Sequence, residues 1–127
     1  MKMKQIKGWW DDGLSPHLEI SLPDGEQFDV VVDSGFNGTL MLPLRRLKKL
    51  RLEKGSYIYN RLADGSVIRT PTYIGEILWF GQKAQVLIQA NDADEGLLGT
   101  ELFQGCKVEL DLDADVVIFR KKSVRRR

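Results

Sequence analysis

The chain has 127 residues, enough for one ordinary domain that buries most of its apolar surface without disulfides or metal. Its 19 basic and 18 acidic groups sum to +1, yet residues 120–127 (RKKSVRRR) hold six positive charges and no negative ones, which leaves the rest at −5. A body of that sign is a poor general nucleic-acid binder, so any such role would sit in the tail. One His and one Cys exclude a His/Cys zinc centre, and no apolar run approaches the ~20 residues that span a bilayer.

The N-terminal stretch MKMKQIKGWWDDG is basic but lacks an apolar h-region and a small-residue cleavage site, so it does not read as a signal peptide. Residues 1–16 read as an extension, with Trp9 and Trp10 packing on the body or on a partner. From 17 to 22 the period is two, with Leu18, Ile20 and Leu22 on one face and His17, Glu19 and Ser21 on the other. His17 is expected to be a structural strand residue. Pro23-Asp24-Gly25 signals a turn, and 26–32 (EQFDVVV) then puts Phe28, Val30 and Val32 on one face, completing a hairpin. Leu44, Leu47 and Leu50 recur at helical spacing after Pro43, which predicts a short helix over 43–50. Segments 56–62 and 66–74 flank Ala63-Asp64-Gly65 and read as a second hairpin, with Pro71 forcing an edge or a bulge. A third hairpin is expected from 74–80 and 83–90 about Gly81-Gln82. Thr100 to Gly105 predicts one or two helical turns with Thr100 as N-cap and Gly105 as C-cap. Residues 106–112 and 116–119 complete the strands. Cys106, alone, allows no internal disulfide, which fits a reducing, cytoplasmic setting. Asp111 to Asp115 resembles the start of a calcium loop, but Val116 and Lys122 stand where Gly and Glu are needed, so a solvated turn is expected. Asp92, Asp94 and Glu95 read as a solvated loop cluster, and 120–127 as a disordered basic tail.

The chemistry-bearing stretch is Val30-Val31-Val32-Asp33-Ser34-Gly35-Phe36-Asn37-Gly38. An apolar strand runs straight into a carboxylate, and burying that charge is costly unless it is partnered. Ser34 supplies a hydroxyl and Gly35 an unobstructed backbone N–H close by. The same residue types also make ordinary turns. Further along, Gly96-Leu97-Leu98-Gly99 leads into the short helix at 100–105.

This order of features resembles the retropepsin-like aspartic proteases: apolar-apolar-Asp-Ser-Gly, then a hairpin with a glycine at its tip, then Leu-Leu-Gly entering a helix. It is most similar to small prokaryotic members, in which Asp-Ser/Thr-Gly-Phe-Asn-Gly precedes an apolar segment and a proline, here Asp33 through Pro43. The likeness spans about residues 17–119. It implies an all-β protein, a small closed β-barrel of the acid-protease type with one or two short helices, forming a single domain over 1–119. It also implies an aspartic endopeptidase with Asp33 as the catalytic acid, Ser34 tying two active-site loops together across a dimer, and Gly35 admitting the backbone to the carboxylates. Ala63, Asp64, Gly65 and Ser66 match the flap tip, and Leu97, Leu98 and Gly99 the motif that supports the catalytic loop. A single Asp-Ser-Gly implies a homodimer acting on peptide or protein substrate, with no metal or cofactor and no membrane. Ser34 in place of Thr drops a methyl, and the flap carries fewer glycines than viral ones. Two competing readings are a catalytically silent dimerisation or peptide-binding module on the same fold, and a nucleic-acid accessory protein working through 120–127.

Overall fold

The computed structural model describes residues 3–123. Strands dominate, in the order β1 (Gln5–Lys7), β2 (Trp9–Trp10), β3 (Pro16–Ser21), β4 (Gln27–Val32) and β5 (Leu40–Pro43). Helix α1 (Leu44–Leu47) follows and tightens into a 3-10 turn at Lys48–Leu50. Then come β6 (Glu53–Lys54), β7 (Ile58–Arg61), β8 (Val67–Thr70), β9 (Thr72–Trp79), β10 (Gln82–Asn91) and β11 (Gly96–Leu98). A 3-10 turn at Thr100–Phe103 leads to β12 (Cys106–Asp111) and β13 (Val116–Lys121).

Six strands close into a barrel in the order β3-β4-β11-β5-β10-β9, with the pairing of Ser21 to Leu78 joining β9 back to β3. Period-two alternation decides what fills it. Leu18 and Ile20 on β3, Phe28 and Val30 on β4, Leu40 and Leu42 on β5, Ile77 on β9, Ile88 on β10 and Leu98 on β11 are almost fully buried. Outside the barrel, β1, β13 and β12 form a three-stranded sheet that lays Val117 and Phe119 on the same core. The N-terminal segment is woven in: β1 pairs with β13, β2 pairs with β3, and Trp10 Nε1 donates to the Val116 carbonyl at 3.0 Å. β13 continues through Arg120 and Lys121 into the stretch expected to be tail, and Arg120 pairs with Glu109 at 2.6 Å across the hairpin. Residues 124–127 of that expected tail lie outside the described residues.

Local chemistry accounts for most elements. The hairpin β3–β4 turns at Asp24-Gly25, where Gly25 takes φ +97° and the Asp24 carboxylate accepts the Glu26 N–H. Four expectations need correction. The strand foreseen over 66–74 breaks at Pro71 into β8 and β9, because proline cannot donate to the ladder. The third hairpin turns at Phe80-Gly81 and not at Gly81-Gln82: both Phe80 (φ 53°) and Gly81 (φ 78°) take the left-handed conformation that a tight two-residue hairpin requires. The helix expected over 43–50 is α-helical only at Leu44–Leu47 and ends on left-handed Arg51. Before Leu102, Gly99 and not Thr100 occupies the N-cap position, and Gly105 (φ 73°) lies one residue beyond the C-cap, Gln104.

Candidate active site

Asp33 is the first residue after β4, and its position is fixed by backbone on two sides. Leu97 and Leu98 pair in parallel with Val31 and Val32, and the Asp33 N–H donates to the Leu98 carbonyl at 2.9 Å. The chain then turns sharply. The Phe36 N–H donates to the Asp33 carbonyl at 3.1 Å, and the Gly35 N–H donates to Asp33 Oδ1 at 2.8 Å. That hydrogen bond partners the carboxylate as the sequence requires. A Cβ on residue 35 would stand 3.2 Å from the same oxygen, so the close approach favours glycine there. Asp33 is half-buried; Ser34 and Gly35 are exposed, so this edge of the loop faces outward.

A second segment locks the loop from behind. Gly99 N–H donates to the Thr39 carbonyl at 2.8 Å, Thr100 N–H to Phe36 at 2.8 Å, and Glu101 N–H to Gly38 at 3.2 Å. This packing leaves no room at Gly99, where a Cβ would lie 2.2 Å from the Gly38 oxygen and 2.6 Å from that of Phe36. The structure thus brings Asp33, Ser34 and Gly35 together with Leu97, Leu98 and Gly99, segments more than 60 residues apart in sequence.

Ala63, Asp64, Gly65 and Ser66 form the exposed tip of the β7–β8 hairpin, a ribbon paired with no other strand among the described residues. Gly65 takes φ +87° with open space around it. The Ser66 hydroxyl (2.6 Å) and N–H (2.9 Å) both donate to Asp64 Oδ1 and hold its carboxyl below the usual range. The ribbon overhangs a groove of about 510 Å³ walled by Met41, Leu44, Leu62 and Ile68, with Arg69 and Asp92 at its margins. Asp33 is not among the groove's lining residues. From sequence, Leu44 reads only as a helix residue and Asp92 only as part of a loop cluster; Met41, Leu62, Ile68 and Arg69 are not singled out. The available signal was the apolar Leu62, Val67 and Ile68 on a hairpin with no second layer to bury them; all three are exposed.

Outside this region, His17 is buried between two acids. Nε2 lies 2.6 Å from Asp11 Oδ2 and Nδ1 lies 2.6 Å from Asp29 Oδ1, while the Trp9 ring stacks on the imidazole at 5.4 Å. Burial pulls the His17 pKa down, but the hydrogen bonds to Asp11 and Asp29 outweigh it and raise the value above 6.5. Cys106 is half-buried and burial raises its thiol pKa, the state of an inert side chain. Asp111 to Asp115 is the β12–β13 turn, with the Asp111 carboxylate accepting the Ala114 N–H.

No family model matches the sequence and no curated protein matches it. Solved structures do. The crystal structure of a retropepsin-like aspartic protease from Rickettsia conorii superposes with a TM-score of 0.68 at 16% identity, over 92% of this chain and 90% of that one. The EIAV protease complexed with the inhibitor HBY-793 gives 0.57 at 20% identity, over 80% of this chain and 98% of that one. The solution structure of the simian foamy virus (mac) protease gives 0.52 at 18%, over 67% and 88%. The fold is therefore retropepsin-like: a mostly β, closed six-stranded barrel. No helix among the described residues is long and apolar enough to cross a membrane.

Proposed function

We propose that this chain is an aspartic endopeptidase that works as a two-fold homodimer, with Asp33 of each copy forming the catalytic pair. The observation that carries the reading is the placement of Asp33. It ends a buried strand of a retropepsin-like barrel, accepts the Gly35 N–H, and presents its loop at an exposed edge. One chain supplies one such acid, and a two-fold axis at that edge supplies the second.

The mechanism follows from charge. Two carboxyls about 3 Å apart cannot both ionise readily, so they share one proton. The ionised member draws a proton from a bound water, which attacks the peptide carbonyl. The protonated member hydrogen-bonds that carbonyl oxygen and then gives its proton toward the departing amine. The Gly35 N–H keeps the Asp33 carboxyl aimed through the cycle. Ser34, beside it, ties the two loops together across the dimer. The ribbon tipped by Ala63, Asp64, Gly65 and Ser66 closes over the peptide and excludes water. The groove beneath the ribbon receives apolar side chains.

The test is cleavage of an unfolded protein substrate at mildly acidic to neutral pH by wild type and Asp33→Asn. Removing both acids should lower kcat at least about 100-fold while the circular dichroism spectrum stays unchanged. Equal cleavage by the two proteins would refute the reading. A folded wild-type dimer that binds peptides and never cuts them would mark the chain as a silent peptide-binding module.

A further inference from the structure

The β-body of this chain is acidic, yet residues 45–54 (RRLKKLRLEK) carry six cations against one Glu. Two of the cations are engaged: Arg45 pairs with Asp94 at 2.5 Å and Arg46 with Glu26 at 3.0 Å. Lys48 and Lys54 are exposed and make no ion pair among the described residues. Both line one small depression of about 220 Å³, together with Leu44, Tyr57, Pro71 and Tyr73 and with no acidic side chain. Leu44 and Pro71 are also walls of the large groove, so the two hollows are contiguous. Lys48 also lines a third hollow of about 300 Å³, which meets the groove at Leu44, Asn91 and Asp92. The apolar groove thus opens, at its α1 end, onto a depression whose charge is wholly positive.

We infer that the depression between Lys48 and Lys54 is a subsite for an acidic side chain, Asp or Glu, of the peptide whose apolar residue fills the groove. The inference rests on the endopeptidase reading and gives it a substrate class: an apolar residue with a carboxylate a few positions away. Charge complementarity selects the occupant. Two exposed ammonium groups attract a carboxylate, repel a lysine, and gain nothing from glutamine. Their flexible stems let them follow the peptide without a fixed geometry, so the expected effect is modest and sensitive to salt.

The experiment uses one parent peptide with an apolar core and a set of variants. Each carries Glu, Gln or Lys at one position, up to four residues to either side. On one side of the core, Glu should give kcat/KM about 5-fold above Gln, with Lys below Gln. The advantage should shrink in 0.5 M salt and invert toward Lys in the double variant Lys48→Glu/Lys54→Glu, whose melting temperature checks that it folds. Equal turnover of Glu, Gln and Lys peptides at every position would overturn the subsite, as would an acidic preference that survives the double variant. Fluorescence polarisation with the same peptides on Asp33→Asn protein separates the two claims. Acidic peptides that bind more tightly, and lose that advantage in the double variant, uphold the subsite even if no peptide is cut. Equal binding refutes it.

Discussion

His17 offers a test of the physical reasoning that needs no catalytic activity. Both ring nitrogens sit 2.6 Å from carboxylate oxygens. A carboxylate only accepts, so each nitrogen must donate, and only the imidazolium donates from both. The surroundings favour that cation. Asp11 lies in the loop after β2, Asp29 on β4, and Glu19 is both two residues along β3 and opposite Asp29 in register; Trp9 adds its ring face. When His17 loses its proton, one hydrogen bond is lost and a lone pair faces a carboxylate. A charged hydrogen bond contributes about 1.5–3 kcal/mol, reduced here because the Asp29 side chain is 59% exposed. The expected loss is about 1.5 kcal/mol, or roughly 5 °C in Tm for a domain of this size. The direction is set by the raised pKa: the stabilisation is fully present below 6.5 and fades as pH climbs through the higher folded value. Thermal unfolding of wild type and His17→Asn at pH 5.5 and 8.5 measures it, since other titrating groups cancel in the difference. Wild type should exceed the variant by more at pH 5.5 than at 8.5. A gap that stays constant, or widens as pH rises, would refute the imidazolium.

Three further outcomes follow from the geometry. Gly99→Ala must push apart the carbonyls of Gly38 and Phe36, and should cost about 3 kcal/mol in chemical denaturation; a near-neutral result would mean that the two loops are not held as described. Leu98→Ala opens a hole at a fully buried position between β4 and β5 and should also cost about 3 kcal/mol. Gly65→Ala forces a side chain into φ +87°, a strain of about 1 kcal/mol confined to the hairpin tip. Under the endopeptidase reading this should lower kcat/KM several-fold with little change in Tm, and unchanged kinetics would remove the ribbon from the cycle.

Much of this was legible because it is local. The alternation of Leu18, Ile20 and Leu22 and of Phe28, Val30 and Val32 predicted the buried faces of β3 and β4, and Asp24-Gly25 predicted the turn between them. The carboxylate at Asp33 stood out because a buried strand has no other use for it. Less was legible where partners are distant. β11 is only three residues long and becomes a strand by fitting between β4 and β5; nothing in Gly96-Leu97-Leu98 alone specifies a parallel pairing. The barrel seam rests on a single pairing, Ser21 with Leu78. Phe80 accepts a left-handed turn because its ring is buried beside Trp79, a payoff that exists only once the core has formed. His17 showed no sign of its two acids, since Asp11 and Asp29 reach it from different elements. Lys48 was hidden in a helical pattern and Lys54 lies beyond it on β6, and only the folded chain sets the two cations beside the groove.

The most direct test of the central claim is the separation of the two Asp33 carboxyl groups in a crystal of the purified protein. The account predicts a symmetric dimer with their nearest oxygens about 3 Å apart. A monomer, or a dimer whose Asp33 side chains lie on opposite outer surfaces, would contradict it.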